Sequence, residues 1–200
     1  MLKKFFALAL AVSFFAAVPA SNSSAIPYAI DKNHSTIGFS VPILGGLSKV
    51  RGKFTDFDVQ LAYDDADITK STVSATIKAA SIDTGIENRD KHLRTADFFD
   101  VEKYPEITFQ SKRVEKKGNQ LIAHGTFTMH GVSKEIALPF TITGKYKDPK
   151  DGDVSIGFSS KLMINRQDYG INWRHKDTPT FVGDEVEIEL NIITRATANK

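Results

Sequence analysis

Residues 185–192 read Glu-Val-Glu-Ile-Glu-Leu-Asn-Ile, with Val186, Ile188, Leu190 and Ile192 on one parity and polar side chains on the other. A strict period of two buries one face and wets its opposite, which defines a strand of a sheet open to water on one side only. The pattern recurs along the chain. Val154, Ile156, Phe158, Leu162 and Ile164 share a parity, as do Ile136, Leu138, Phe140 and Ile142, then Leu121, Ala123, Phe127 and Met129, then Ile107 and Phe109. Between Lys49 and Tyr63 the apolar parity switches from Val50 and Phe54 to Phe57, Val59, Leu61 and Tyr63. One extra residue near Asp56, a β-bulge, produces such a flip.

These stretches predict eight strands, at 37–41, 48–63, 71–82, 106–115, 119–130, 133–147, 153–166 and 183–195. Several exceed the common length of about 5 or 6 residues, which suits an extended barrel better than a compact sandwich. The exception is 84–97, where Thr84 and Glu87 are spaced as a capping box, and Glu87 with Lys91 and Asp90 with Arg94 as helical ion pairs. A short helix is expected between the third and fourth strands. Its thin apolar stripe, Ile86, Leu93 and Ala96, lays it across an end or side of the barrel. The fold class is therefore all-β, an extended eight-stranded antiparallel barrel with one short helix.

The N-terminus has Lys3 and Lys4, an apolar run from Phe5 to Val18, and small residues near Ala20 and Ala25, the layout of a secretory signal peptide. That run is 14 residues long, short of the roughly 20 needed to span a bilayer. We expect residues 1–25 to be removed after Ala20 or Ala25, leaving a domain at 26–200. Without Lys3 and Lys4 the chain has 24 basic and 24 acidic residues. A neutral domain argues against nucleic-acid binding and against adhesion to anionic lipid by bulk charge. The absence of cysteine excludes a disulfide scaffold, a thiolate zinc site and a thiol nucleophile.

No Gly-x-Ser-x-Gly, Ser-x-x-Lys, His-Glu-x-x-His, Walker or Gly-x-Gly-x-x-Gly motif occurs. The five histidines, His34, His92, His124, His130 and His175, fall in separate segments and are expected in surface or turn roles. His124 and His130 share a parity but stand about 20 Å apart at roughly 3.4 Å per residue, too far for a common metal ion. Lys49, Arg51 and Arg166 lie near strand ends, where basic groups beside a cavity could hold a phosphate or carboxylate. A solvated strand face, or pairing with Asp168 or Asp90, is the structural alternative. Small residues (Ala75, Ala79, Ala123, Gly125, Ser160) share the apolar parity with large ones. An eight-stranded barrel holds either packed side chains or one small ligand, and parity leaves both open.

The segment from Asn88 to Asp100, Asn-Arg-Asp-Lys-His-Leu-Arg-Thr-Ala-Asp-Phe-Phe-Asp, is followed by Lys103-Tyr104-Pro105. Supporting pieces are Ile30-Asp31 with His34-Ser35, Ser48 to Gly52 with Phe54, Ile107-Thr108-Phe109 with Ser111, Gly125 to Val132, and Asn165-Arg166 with Asp168-Tyr169-Gly170. In order and spacing these resemble the YceI-like family of periplasmic, polyisoprenoid-binding, lipocalin-like proteins, from about Tyr28 to Arg195. The stretch Val41 to Leu47 departs from many relatives, which carry a basic residue and a histidine there.

The resemblance implies a lipocalin-like barrel around an elongated apolar cavity, a periplasmic carrier or sensor that forms dimers and is not a catalyst. Its partner would be a bound isoprenoid or fatty-acid-like lipid, such as a polyprenyl phosphate or an isoprenoid quinone, with no catalytic cofactor. Expected tail contacts are Phe39, Val41, Leu44, Leu47, Phe98, Phe99, Ile107, Phe109, Phe127, Met129, Leu138, Phe140, Phe158, Leu162, Tyr169 and Trp173. Expected head-group contacts are Lys49, Arg51, Arg89, His92 and Arg166. Two rivals make different demands on structure: an enzyme acting on such a lipid with His92 and Asp90 as acid and base, and an envelope interaction module with a solid core.

Overall fold

The structure is a computed structural model describing residues 25–196. The expected signal peptide lies, Ala25 apart, outside the described residues. Eight antiparallel strands form the fold: β1 (Ile26–Ile30 and Thr36–Ile43), β2 (Ser48–Phe54 and Phe57–Tyr63), β3 (Thr72–Lys78 and Ile82–Asp83), β4 (Glu106–Lys117), β5 (Gln120–Met129), β6 (Val132–Lys147), β7 (Val154–Asn165) and β8 (Glu185–Ala196). Each pairs with its neighbour in sequence, and β8 returns to β1 with Leu190 opposite Ile37 and Thr194 opposite Ile30. Closure leaves no strand at the edge of the sheet, although the β6–β7 ladder stops at Thr141 opposite Ser159.

Interruptions of the strands have local causes. β1 starts at Ile26, earlier than expected, because it survives a break: the Asp31 carboxylate accepts from the N–H groups of Asn33 (3.1 Å) and His34 (3.3 Å), closing a 3-10 turn before the strand resumes. The expected flip in β2 falls at Thr55 and Asp56, so that Phe54 and Phe57 are both buried. β3 breaks beside it. The Thr55 N–H donates to Ser81 O (3.1 Å) and the Lys78 N–H to Asp56 O (2.9 Å), so the two irregularities satisfy each other's backbone.

A further register shift in β4, between Ser111 and Arg113, explains one small residue on the inward parity. A Cβ on Gly125 would stand 2.3 Å from the Gln110 carbonyl oxygen and 2.8 Å from Ser111 Cα. Backbone, not a flexible side chain, occupies that space. Gly125→Ala is expected to destabilise the barrel by about 1–3 kcal/mol, read as a lower urea midpoint; an unchanged midpoint would mean that the wall yields there freely.

The helix α1 (Glu87–Arg94) is shorter than expected and is capped differently. Ile86 occupies the cap position with no side-chain bond, so the Thr84–Glu87 capping box does not form. Instead the N–H (3.0 Å) and hydroxyl of Thr84 donate to the buried Asp90 carboxylate. Glu87 and Lys91 pair as expected (2.7 Å), but Asp90 and Arg94 do not. Arg94 donates to the carbonyls of Ala80 and Ile82, both at 2.7 Å. Where β3 ends, its backbone offers donors and acceptors without ladder partners, and the two helix charges turn inward to satisfy them.

Alternating strand direction puts α1 and loops 44–47, 130–131 and 166–184 at one end of the barrel, and loops 64–71, 118–119 and 148–153 at the other. Ile82, Phe98, Tyr169 and Ile171, from segments at the helix end, join the buried cluster with Ile37, Phe54, Ile107 and Phe127.

Candidate functional site

Period-two alternation sends every second side chain of all eight strands inward, yet these do not fill the interior. Phe39, Leu138, Phe140, Phe158, Ile188 and Leu190 line it and remain only partly buried. They bound a cavity of about 610 Å³, inside the range of roughly 300–1,000 Å³ usual for small-molecule sites. The solid core required by the interaction-module reading is absent.

The few polar side chains along the wall are turned to backbone: the Ser160 hydroxyl donates to Pro139 O (2.6 Å) and the Thr194 hydroxyl to Ile156 O (3.3 Å). A hydrocarbon guest would therefore leave these two hydroxyls satisfied. At the end away from α1 the lining includes the buried Tyr63, Ser71 and Thr194; at the helix end it includes the exposed Asn88 and His92.

Of the expected tail contacts, Phe39, Val41, Phe98, Phe99, Ile107, Phe109, Phe127, Met129, Leu138, Phe140, Phe158, Leu162 and Trp173 line the cavity. Leu44, Leu47 and Tyr169 do not. β1 ends at Ile43, and positive φ at Leu44 (53°), Gly45 (66°) and Gly46 (96°) swings the turn outward, leaving Leu44 49% and Leu47 88% exposed. Tyr169 is fully packed in a 3-10 turn with its ring edge-on to Phe127 (5.4 Å), and Phe127 is the one that meets the cavity.

Of the expected head-group contacts, Arg89, His92 and Arg166 line the cavity, whereas Lys49 and Arg51 stand on the wet face of β2. Val50 and Phe54 take the inward parity, so their odd-numbered neighbours point out. Arg166 is only 4% exposed, and its guanidinium is committed to the chain itself. It donates to Gly183 O (3.0 Å), Ile171 O (2.7 Å), Val182 O (3.5 Å) and the Asp184 carboxylate (3.0 Å). Burial, opposed by the Asp184 charge, pulls its pKa below the ordinary arginine value. For Asp184, burial pushes upward, but the Arg174 hydrogen bond and the Arg166 and Arg174 charges hold the carboxyl below its usual range. Arg166 thus latches loop 166–184, with its guanidinium turned to the chain itself.

Arg89 donates from Nε to the Thr84 hydroxyl (2.7 Å) and from Nη2 to Thr84 O (2.9 Å), and it makes no ion pair among the described residues. His92 bonds Asp97 (2.8 Å) and packs edge-on against Phe98 (5.1 Å) and Trp173 (5.4 Å). The His92–Asp90 couple of the enzyme reading is not formed, since the Asp90 carboxylate is held by Thr84. Ile43, Phe181, Val182 and Asn88 also line the cavity and escaped the sequence reading. Phe181 and Val182, an apolar pair in the otherwise polar run 174–184, were the signal for that segment.

A closed, up-and-down, eight-stranded barrel with an apolar hollow is the architecture of lipocalin-like proteins. The model of the YceI-like domain matches residues 28–194, and the chain belongs to that family. A UPF0312 protein of Photorhabdus laumondii is 40% identical over 152 residues, 75% of this chain and 78% of that protein. One from Pseudomonas putida is 39% identical over 174 residues, 86% of this chain and 88% of that one. Among solved structures, a Campylobacter jejuni YceI protein is 35% identical, with a TM-score of 0.63 over 77% of this chain and 88% of that one. Burkholderia cenocepacia BcnA, at 23% identity and a TM-score of 0.73, covers 82% of this chain and 98% of its own, and shares the fold. So does a polyisoprenoid binding domain from Saccharophagus degradans, at 16% identity and a TM-score of 0.62.

Proposed function

We propose that this protein is a periplasmic carrier that encloses the tail of an isoprenoid or similar long-chain lipid, in transport, storage or stress protection. The observation that carries the reading is the hollow of about 610 Å³, walled by aliphatic and aromatic side chains from all eight strands. Each methylene moved from water into such a wall contributes about 0.8 kcal/mol. Ten carbons supply about 8 kcal/mol before association costs, so affinity needs little polar chemistry. The head group belongs at the helix end, beside Arg89 and His92. The Saccharophagus domain supports an isoprenoid guest through likeness of fold, and the leader-like N-terminus supports the periplasm.

Native mass spectrometry of protein from its own host, followed by solvent extraction, tests this. We expect an added mass that extracts into organic solvent and resolves into isoprene units. Recovery of bare protein alone, under conditions that preserve lipid complexes, would count against a resident lipid.

A further inference from the structure

We propose that loop 44–47 and the basic strip beside it dock the barrel, helix end first, on the surface of an anionic lipid bilayer. This rests on reading the cavity as a lipid site and names the surface from which that site is filled.

Leu47 is 88% and Leu44 49% exposed, and Ile86, before α1 at the same end of the barrel, is exposed as well. The leucines are not an isolated patch. The Leu44 N–H donates to Phe181 O (2.9 Å), the Gly183 N–H donates to Pro42 O (2.8 Å), and Ile43 bridges to Val182. Ile43, Phe181 and Val182 line the cavity. An apolar track therefore runs from the loop tip into the barrel.

Beside the loop, Lys49, Arg51 and Lys53 project from the outer face of β2, and none takes part in an ion pair among the described residues. Elsewhere on the wall Lys112 pairs with Glu135 (2.8 Å) and Lys161 with Glu189 (3.4 Å), and the other wall cations without an ion pair among the described residues, Lys116, Lys117, Lys147 and Arg195, stand at the opposite end of the barrel. The residues opposite Lys49 and Arg51 in β1 are Pro42 and Ser40, which carry no charge; Lys53 faces Asp83 across the ladder without reaching it. Apolar tips with cations set one level behind them match a bilayer, acyl chains beneath and phosphates at the height of the basic groups. With charge balanced over the whole domain, attraction has to be local, and here it adjoins the apolar track.

The test uses the full mature chain with sedimenting vesicles of phosphatidylcholine and phosphatidylglycerol in equal parts, and with phosphatidylcholine alone. The parent is expected to partition onto the mixed vesicles and to be released by salt. Leu44→Gln with Leu47→Gln, and separately Lys49→Gln with Arg51→Gln, should each weaken partition by about tenfold or more. Wild-type protein that ignores the mixed vesicles, or variants that partition equally, would overturn the proposal. Each protein is also loaded with geranylgeraniol added from ethanol, which reports an intact barrel. Loss of partition with loading retained supports docking through the loop. Partition without any loading of the parent overturns the cavity reading alone. Should the double leucine variant fail to load, Leu47→Gln by itself, at the most exposed position, gives the same comparison.

Discussion

Ala75→Phe is expected to abolish most lipid uptake while leaving the barrel as stable as the parent or slightly more so. Ala75 sits in β3 between Val59 of β2 and Phe109 of β4, lines the cavity, and is only partly buried. A phenyl ring there extends into empty space, and fixed apolar surface then takes the place of the guest. If it displaces about four methylenes, the lost transfer energy is about 3 kcal/mol, a weakening of roughly 100-fold in Kd. Filling a void is among the routine ways of stabilising a fold, so the melting temperature should hold or rise. Titration with geranylgeraniol beside thermal melting measures both. Met163→Phe, at an exposed position on the outside of β7, is the control. Unaltered affinity in Ala75→Phe would place the guest somewhere other than the barrel interior.

Arg166→Met should be the most damaging change at the helix end, lowering stability by about 3 kcal/mol. Methionine matches the length of the stem but leaves the carbonyls of Ile171, Val182 and Gly183 without their donor and takes one donor from the Asp184 carboxylate, which keeps Arg174. Loop 166–184 carries Trp173, so a shift in tryptophan emission should accompany the fall in urea midpoint. Asp184 gives the pH signature. Its folded pKa is depressed, so its contribution is complete above the ordinary carboxylate value of about 4 and is lost as pH falls through the lower folded value. Asp184→Asn should be less stable than the parent at neutral pH, and the gap should close on acidification. A gap that is constant with pH would show that charge plays no part in the latch.

The barrel was legible because its strands are amphipathic. Glu185 to Ile192 could only be a wall with one wet side, and the parity flip near Asp56 located the bulge. The same parity already put Lys49 and Arg51 outside, since Val50 and Phe54 claim the interior; closeness along the chain to apolar residues obscured it. What stayed hidden depends on turns and on contacts that leave no periodicity in the sequence. Arg166 finds its carboxylate eighteen residues later, in Asp184, across a loop with no periodicity. Thr84, three residues before Glu87, looks like a cap, but the chain turns at Gly85 (φ 75°) and presents its hydroxyl to Asp90 instead. Leu44 and Leu47 continue the apolar run of β1 in sequence, and only the left-handed conformation of the turn reveals that alternation has stopped. Whether inward residues fill a barrel or leave it hollow depends on circumference and tilt, properties of the closed ring that no single strand encodes.

That ring has a kinetic corollary. Because β8 is stitched to β1 and each strand is bonded to both of its neighbours, the cylinder is closed all the way round. A long guest must thread lengthwise, like a cable drawn through a conduit, and back out the same way. Residence time should then lengthen with each added carbon faster than affinity alone requires, so that the protein ranks its guests by how slowly they slide free.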